Sequence, residues 1–150
     1  MINYRSATIN DLPIIINAED KCFNELDRFS KKSLLRMISN PKKSIIVDLI
    51  LFFDEIIGYA VYLTRINSKK VRLYSICILP QYSGRGFARE YLNKRIIDFA
   101  KSFSEMTLEV RETNFAALKL YSSIGFTMHT KLPNYYPDGE VGYRLIKRLN

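Results

Sequence analysis

The chain has 150 residues, 47% of them hydrophobic and 25% charged, which fits one globular domain over residues 1–150 and excludes a disordered or collagen-like chain and a large multi-domain assembly. Lys and Arg number 23 against 15 Asp and Glu, a formal net charge of +8, and that field attracts phosphates, nucleic acid or acidic partners without naming one. The two cysteines, Cys22 and Cys77, sit in apolar surroundings outside any Cys-x-x-Cys or Cys/His set, so a reduced thiol pair and no metal are expected.

The richest apolar stretch, residues 45–63, is broken by Asp48, Asp54 and Glu55, short of the roughly 20 clean residues that cross a bilayer. The start Met-Ile-Asn-Tyr-Arg lacks the apolar core of a signal peptide, and the expectation is a cytoplasmic protein with no membrane partner. In chain order, Asn10 or Asp11 as cap and Pro13 in the first turn begin a helix over residues 14–22. Ser30 caps a second helix whose Leu34, Leu35 and Ile38 share an apolar face and which stops before Pro41. Residues 44–53, 56–66 and 71–79 are rich in β-branched and aromatic side chains and read as a three-stranded antiparallel meander, with Asp54-Glu55 at the first turn.

From Phe87 the period changes to three and four, through Tyr91, Leu92, Ile96, Phe99, Ala100 and Phe103, which marks a helix with one face on the sheet. A short strand over residues 106–110 follows, then a helix over residues 114–123 with Asn114 as cap and Gly125 as stop. Two strands, residues 126–132 and 142–149, close the chain around a turn-rich loop containing Asp138-Gly139. The expected fold is α/β (α+β), a mixed, mostly antiparallel central sheet flanked by helices.

The chemistry concentrates where the third meander strand runs out, at Ile76-Cys77-Ile78-Leu79-Pro80-Gln81-Tyr82-Ser83-Gly84-Arg85-Gly86-Phe87-Ala88. A strand, a glycine-rich turn and a helix start make an anion site: glycine lets the backbone approach a phosphate, and the free amides of the first helical turn aim partial positive charge at it, with Arg85 and Arg89 nearby. By itself this pattern is equally a plain strand-to-helix turn. It matches neither the nucleotide-hydrolysing G-x-x-x-x-G-K-[ST] loop nor a full dinucleotide fingerprint.

Pro-x-x-Ser-Gly-Arg-Gly-Phe-Ala resembles the acetyl-CoA loop of the GNAT family of N-acetyltransferases, and Leu108-Glu109-Val110-Arg111 through Leu120-Tyr121-Ser122-Ser123-Ile124-Gly125-Phe126 resembles that family's later strand-helix-strand segment. With Asn134-Tyr135-Tyr136-Pro137, these residues are most similar to the branch that acetylates protein N-termini, ribosomal proteins among them. The resemblance spans about residues 45–149. Ser83 departs from the Gln or Arg usual at the start of the loop motif, a difference of side chain more than of mechanism, because backbone amides do most of the phosphate work.

The resemblance implies acetyl-CoA as co-substrate, held by Gly84, Arg85, Gly86, Phe87, Ala88, Arg89 and Asn114, by the backbone of Ile76, Cys77 and Ile78, and by Tyr121. It implies Glu109 as the base, acting directly or through water, and Tyr121 as the acid that protonates the departing sulfur. It implies substrate contacts from Tyr135 and Tyr136 and, in the loop after the first helix, from Glu25, with Asp27 also able to attract a cationic amine. Read without it, Glu109 is a strand residue paired with Arg111 or a lysine across the sheet, and Tyr121 a packing residue. The expected activity is direct acetyl transfer to a primary amine, foremost the α-amine of a protein such as a ribosomal protein. A lysine side chain or a small amine, such as a polyamine or aminoglycoside, is the alternative acceptor. A basic RNA- or ribosome-binding module ranks lower because the cationic residues are scattered, and no direct nucleic-acid requirement is expected.

Overall fold

The computed structural model describes residues 1–40 and 43–150; Pro41, where the second helix was expected to stop, and Lys42 lie outside the described residues. The chain runs β1 (Ile2–Ser6), α1 (Leu12–Cys22), α2 (Lys31–Ile38), β2 (Ile45–Phe52), β3 (Glu55–Thr64), β4 (Lys70–Ile78), α3 (Phe87–Phe99), β5 (Glu105–Arg111), α4 (Phe115–Ser123), β6 (Thr127–Leu132) and β7 (Gly142–Arg148). Among the described residues seven strands form one sheet in the order β1-β2-β3-β4-β5-β7-β6. Every neighbouring pair is antiparallel except β4 and β5, which the crossover through α3 makes parallel.

Strand alternation sends successive side chains to opposite faces, so the sheet has an apolar layer on each. One layer joins Ile50, Tyr62, Val71, Leu73 and Met106 to Tyr91, Leu92 and Phe99 of α3 and Tyr121 of α4. The other joins Leu49, Tyr59, Val61 and Cys77 to Leu12, Ile15 and Ala18 of α1 and Leu34 of α2. Ser30 caps α2 by accepting from the Ser33 amide at 3.1 Å, and Asn114 caps α4 by accepting from the Ala117 amide at 3.2 Å.

Three features differ from the sequence reading. β1 was not anticipated: among its five residues only Ile2 is fully buried, which leaves no period to read, and its place is set by long-range pairing with β2 and by Tyr4 packing edge-on against Tyr91. Phe103 lies beyond α3, its amide bonded to the Phe99 carbonyl at 2.7 Å in the turn that closes the helix. Leu35 points outward from α2 while Leu34 fills the core.

The buried carboxylates Asp48 and Glu19 are paired, as their desolvation requires. Asp48 of β2 accepts from Tyr91 at 2.6 Å and pairs with Arg95 at 2.9 Å, and the Tyr91 hydroxyl also meets that of Tyr62 at 2.8 Å. Glu19 of α1 accepts from the Tyr59 hydroxyl and, at 2.8 Å, from the Phe29 amide, which ties the loop after α1 to the sheet.

Candidate active site

β4 and β5 pair only from Lys70 opposite Glu105 to Leu73 opposite Leu108, although β4 continues to Ile78 and β5 to Arg111. The parting begins at a bulge: β4 pairs Leu73 with Tyr62 and Ser75 with Val61, leaving Tyr74 as the extra residue. A bulge bends its strand and shifts its phase. Before it Val71 and Leu73 enter the layer under α3; after it Ile76 and Ile78 do, while Cys77 faces α1. Across from this segment a Cβ on Gly58 would overlap the carbonyl of Cys77, so β3 and β4 approach there more closely than any side chain allows.

A cavity of about 790 Å³ fills the gap. Ser75 and Ile76 of β4, Glu109 and Arg111 of β5, Asn114, Ala117 and Tyr121 beside them, and Phe23, Asp27, Phe29, Tyr135 and Tyr136 from two loops line it. Tyr121 is 7% exposed, its ring edge-on to Phe126 at 5.7 Å, and burial pushes its phenol above the ordinary range, so it stays protonated. No acceptor for its hydroxyl occurs among the described residues. Glu109 is held by Arg72 at 2.5 Å and Arg144 at 3.0 Å. Arg111, one of the partners considered for Glu109 from sequence, instead binds Asp27, Asp138 and Glu140.

At the end of β4 a single 3-10 turn, Pro80–Tyr82, leads into Gly84 and Gly86, at φ 74° and 80°. These dihedrals favour glycine, and a Cβ on either would meet nothing within 4 Å, so open space faces the backbone on both. The amides from Gly84 to Arg89 donate to no acceptor among the described residues, and the first helical turn of α3 adds its dipole. This open cradle of unpaired donors fits a phosphate group. Ser83 turns its hydroxyl back onto the Pro80 carbonyl at 2.8 Å, and Arg85 lies over the Phe87 ring at 4.8 Å. Phe87 is itself a core residue. The turn and its residues 84–89 stand outside the cavity lining, as do Cys77 and Ile78.

Tyr135 and Tyr136 pack edge-on at 5.0 Å. The Tyr135 hydroxyl accepts from Arg72 at 3.3 Å; Tyr136 lies beneath Arg111 at 4.2 Å, and burial pushes its phenol up to about 12. Glu25 is exposed and outside the lining, whereas Asp27, two residues on, lines it. Sequence reasoning missed Arg72 and Tyr74; Phe29, in the loop expected to form one wall, stacks on Tyr74 at 5.4 Å, and Arg72 lies over Tyr74 at 5.2 Å. Alternation along β4 puts Arg72 on the face opposite Val71 and Leu73, but the bulge that governs Tyr74 leaves no mark in the residue pattern.

A parted parallel strand pair, an amide cradle where one strand ends and a buried, protonated tyrosine beside the gap together offer an anion site, an open strand edge and a proton donor. Residues 12–126 match the Acetyltransferase (GNAT) family. The chain belongs to that family. It is 40% identical over 90 residues to a [Ribosomal protein bS18]-alanine N-acetyltransferase of Haemophilus influenzae, 59% of this chain and 60% of that one. It is 35% identical over 85 residues to the protein of that name in Haemophilus ducreyi, 56% of this chain and 57% of that one. The matched segments thus span somewhat over half the length of these relatives. The crystal structure of the ribosomal-protein-S18-alanine N-acetyltransferase from Escherichia coli superposes with a TM-score of 0.85 at 26% identity, covering 100% of this chain and 95% of that one. A spermidine N-acetyltransferase from Vibrio cholerae, solved with CoA and spermine, has the same TM-score at 18% identity over 99% of this chain and 95% of that one, a likeness of fold alone.

Proposed function

We propose that this GNAT protein is an acetyl-CoA-dependent N-acetyltransferase, that its acceptor is the α-amine of a protein N-terminus of the ribosomal-protein class, and that it acts in the cytoplasm. The observation that carries the reading is the parting of β4 from β5 with Tyr121 beside it. Its similarity to the bS18-alanine acetyltransferases supports the choice of acceptor, and its two unbridged thiols support a reducing compartment.

Gly84, Arg85, Gly86, Phe87, Ala88 and Arg89 would hold the diphosphate of acetyl-CoA through their amides, and Asn114 would add a contact beside its capping bond. The β4 edge from Ile76 to Ile78 has no β5 partner; Cys77 pairs with Tyr59 of β3 and the Ile78 carbonyl accepts from Cys22, and the remaining outward backbone groups of Ile76 and Ile78 would bind an extended chain as an added strand. When bound, acetyl-CoA supplies an acetyl thioester at the gap. A β4 amide donates to the carbonyl oxygen as it gains charge, and Tyr121 gives its proton to the sulfur. Glu109 takes the proton of the attacking amine. Both its oxygens are already paired with arginines, so a water molecule relays that proton. Tyr135 and Tyr136 bind the backbone of the acceptor, and Asp27, rather than the outward Glu25, is the acidic residue of the loop after α1 that meets it.

Mass spectrometry of a peptide library incubated with acetyl-CoA tests activity and acceptor together. Peptides with free N-termini should gain one acetyl group, and N-terminally blocked peptides should not. Acetylation confined to lysine side chains or polyamines would overturn the acceptor, and absence of both transfer and CoA binding would overturn the enzyme.

A further inference from the structure

We propose that Arg111 is a positioning residue that fixes the width of the acceptor groove by holding its two walls with one guanidinium, an inference that rests on the cleft taking an amine acceptor as read above. The walls come from distant parts of the chain, residues 23–30 between α1 and α2 and residues 133–141 between β6 and β7. Nη2 of Arg111 donates to both oxygens of Asp27, at 2.9 and 3.1 Å. Nη1 donates to both oxygens of Asp138, at 3.0 and 2.8 Å, and to Glu140 at 2.8 Å. The guanidinium also lies 4.2 Å from the centroid of Tyr136, a residue of the second wall that lines the cavity.

Three carboxylates converge on one cation, so the two walls repel each other wherever that cation is missing. The Arg111 side chain is 19% exposed, which limits solvent screening of these contacts. A planar fork of donors can serve a carboxylate on each side at once; the point charge of a lysine cannot hold both in fixed geometry. Arg111 and Glu109 are two residues apart on β5 and share a strand face, so the group that spaces the walls stands next to the candidate base.

The walls have unequal second anchors. Glu140 also accepts from the Thr113 amide at 3.0 Å and from its hydroxyl, and the Phe29 amide donates to Glu19. Losing Asp27 loosens the first wall alone and losing Arg111 loosens both, each wall keeping its second anchor. None of these contacts involves residues 84–89, so the donor side is unaffected.

The test compares wild type with Arg111→Lys, Arg111→Met and Asp27→Asn. Amide hydrogen exchange on the free protein should rise roughly tenfold in residues 23–30 and 133–141 together in Arg111→Met, and in residues 23–30 alone in Asp27→Asn, the scale of losing charge-assisted hydrogen bonds. Steady-state kinetics with an N-terminal peptide should show its KM raised roughly tenfold in both, less in Arg111→Lys, with the KM for acetyl-CoA unchanged. Wild-type exchange in both walls, or equal rises in the two KM values, overturns the proposal. If Arg111→Met fails to fold, hydrogen exchange in Asp27→Asn decides: a rise confined to residues 23–30 supports the proposal, and wild-type exchange there overturns it. If the wild type acetylates no amine, the functional reading fails while hydrogen exchange still decides whether Arg111 holds the walls.

Discussion

Arg144 on β7 stands directly opposite Glu109 in the β5–β7 ladder and donates its Nε–H to Glu109 Oε2 at 3.0 Å. Arg72, from the strand on the other side, reaches Oε1 at 2.5 Å. A carboxylate 7% exposed and gripped from both flanks is fixed in direction and has no oxygen left to approach the amine unaided. Glu109→Gln should cut kcat by about 10²-fold, the scale of a lost general base, with the greatest loss at lower pH, where the amine is protonated. A pH–rate profile checks this, and a variant with wild-type rates at every pH would make Glu109 structural.

Tyr121 has the complementary part. Burial raises its pKa, so the proton stays on the oxygen across the working range and the phenol produces no alkaline loss of activity there. Tyr121→Phe keeps the ring that packs on Phe126 and removes only the donor. Turnover should fall about 10²-fold while acetyl-CoA binding, measured by calorimetry, is nearly unchanged. Unchanged turnover would remove Tyr121 as the acid.

The sequence singled out these two side chains because they sit inside a resembled segment on regular elements. The meander, the helices and the last two strands were legible from the residue pattern: β-branched and aromatic runs or a period of three to four, with Ser30 capping α2 and Asn114 capping α4. What was not legible depends on contacts between distant residues. β1 is held by a partner about 45 positions away, the bulge at Tyr74 by the register of β3, and the partners of Glu109 by which strands become neighbours. Arg111 stood beside Glu109 in the sequence and was considered as its partner; on β5 its guanidinium turns instead to two loops 84 and 27 residues away.

The two thiols should differ sharply in reactivity. Cys22 lines the cavity, donates to the Ile78 carbonyl at 3.4 Å and bonds with the Cys77 thiol, which lowers its pKa; that contact, with burial, raises the pKa of Cys77. The thiolate is the reactive form, so iodoacetamide should label Cys22 first and leave Cys77 unmodified in the folded protein. Peptide mapping after brief labelling would show it, and equal labelling of both would contradict this arrangement.

Gly58 is a point where one methyl group should damage the donor groove. Because the added Cβ would meet the backbone carbonyl of Cys77, β4 itself must move, and with it the amides of Ile76 to Ile78. Gly58→Ala should destabilise the fold by about 1–3 kcal/mol, the range for overpacking, and weaken CoA binding. Thermal melting and calorimetry measure the two, and a variant matching wild type in both would show that the close approach of β3 and β4 is dispensable.

Asp11 links β1 to the start of α1 and predicts an acid-side dependence. Arg5 donates to both of its oxygens, at 2.9 and 3.0 Å, and the Thr8 amide donates to Oδ2 at 2.7 Å. These bonds, Arg5 foremost, hold its pKa at about 2, below the usual carboxylate range. The folded state therefore binds this proton less readily than the unfolded chain. The stabilisation is complete above a pH of about 4 and is lost as pH falls toward 2. Asp11→Asn should cost about 1 kcal/mol at neutral pH, and the gap between its melting temperature and that of wild type should close over the same acid range. A gap constant from neutral pH down to the acid end would mean that the charge on Asp11 contributes nothing and that shape alone holds β1 to the helix.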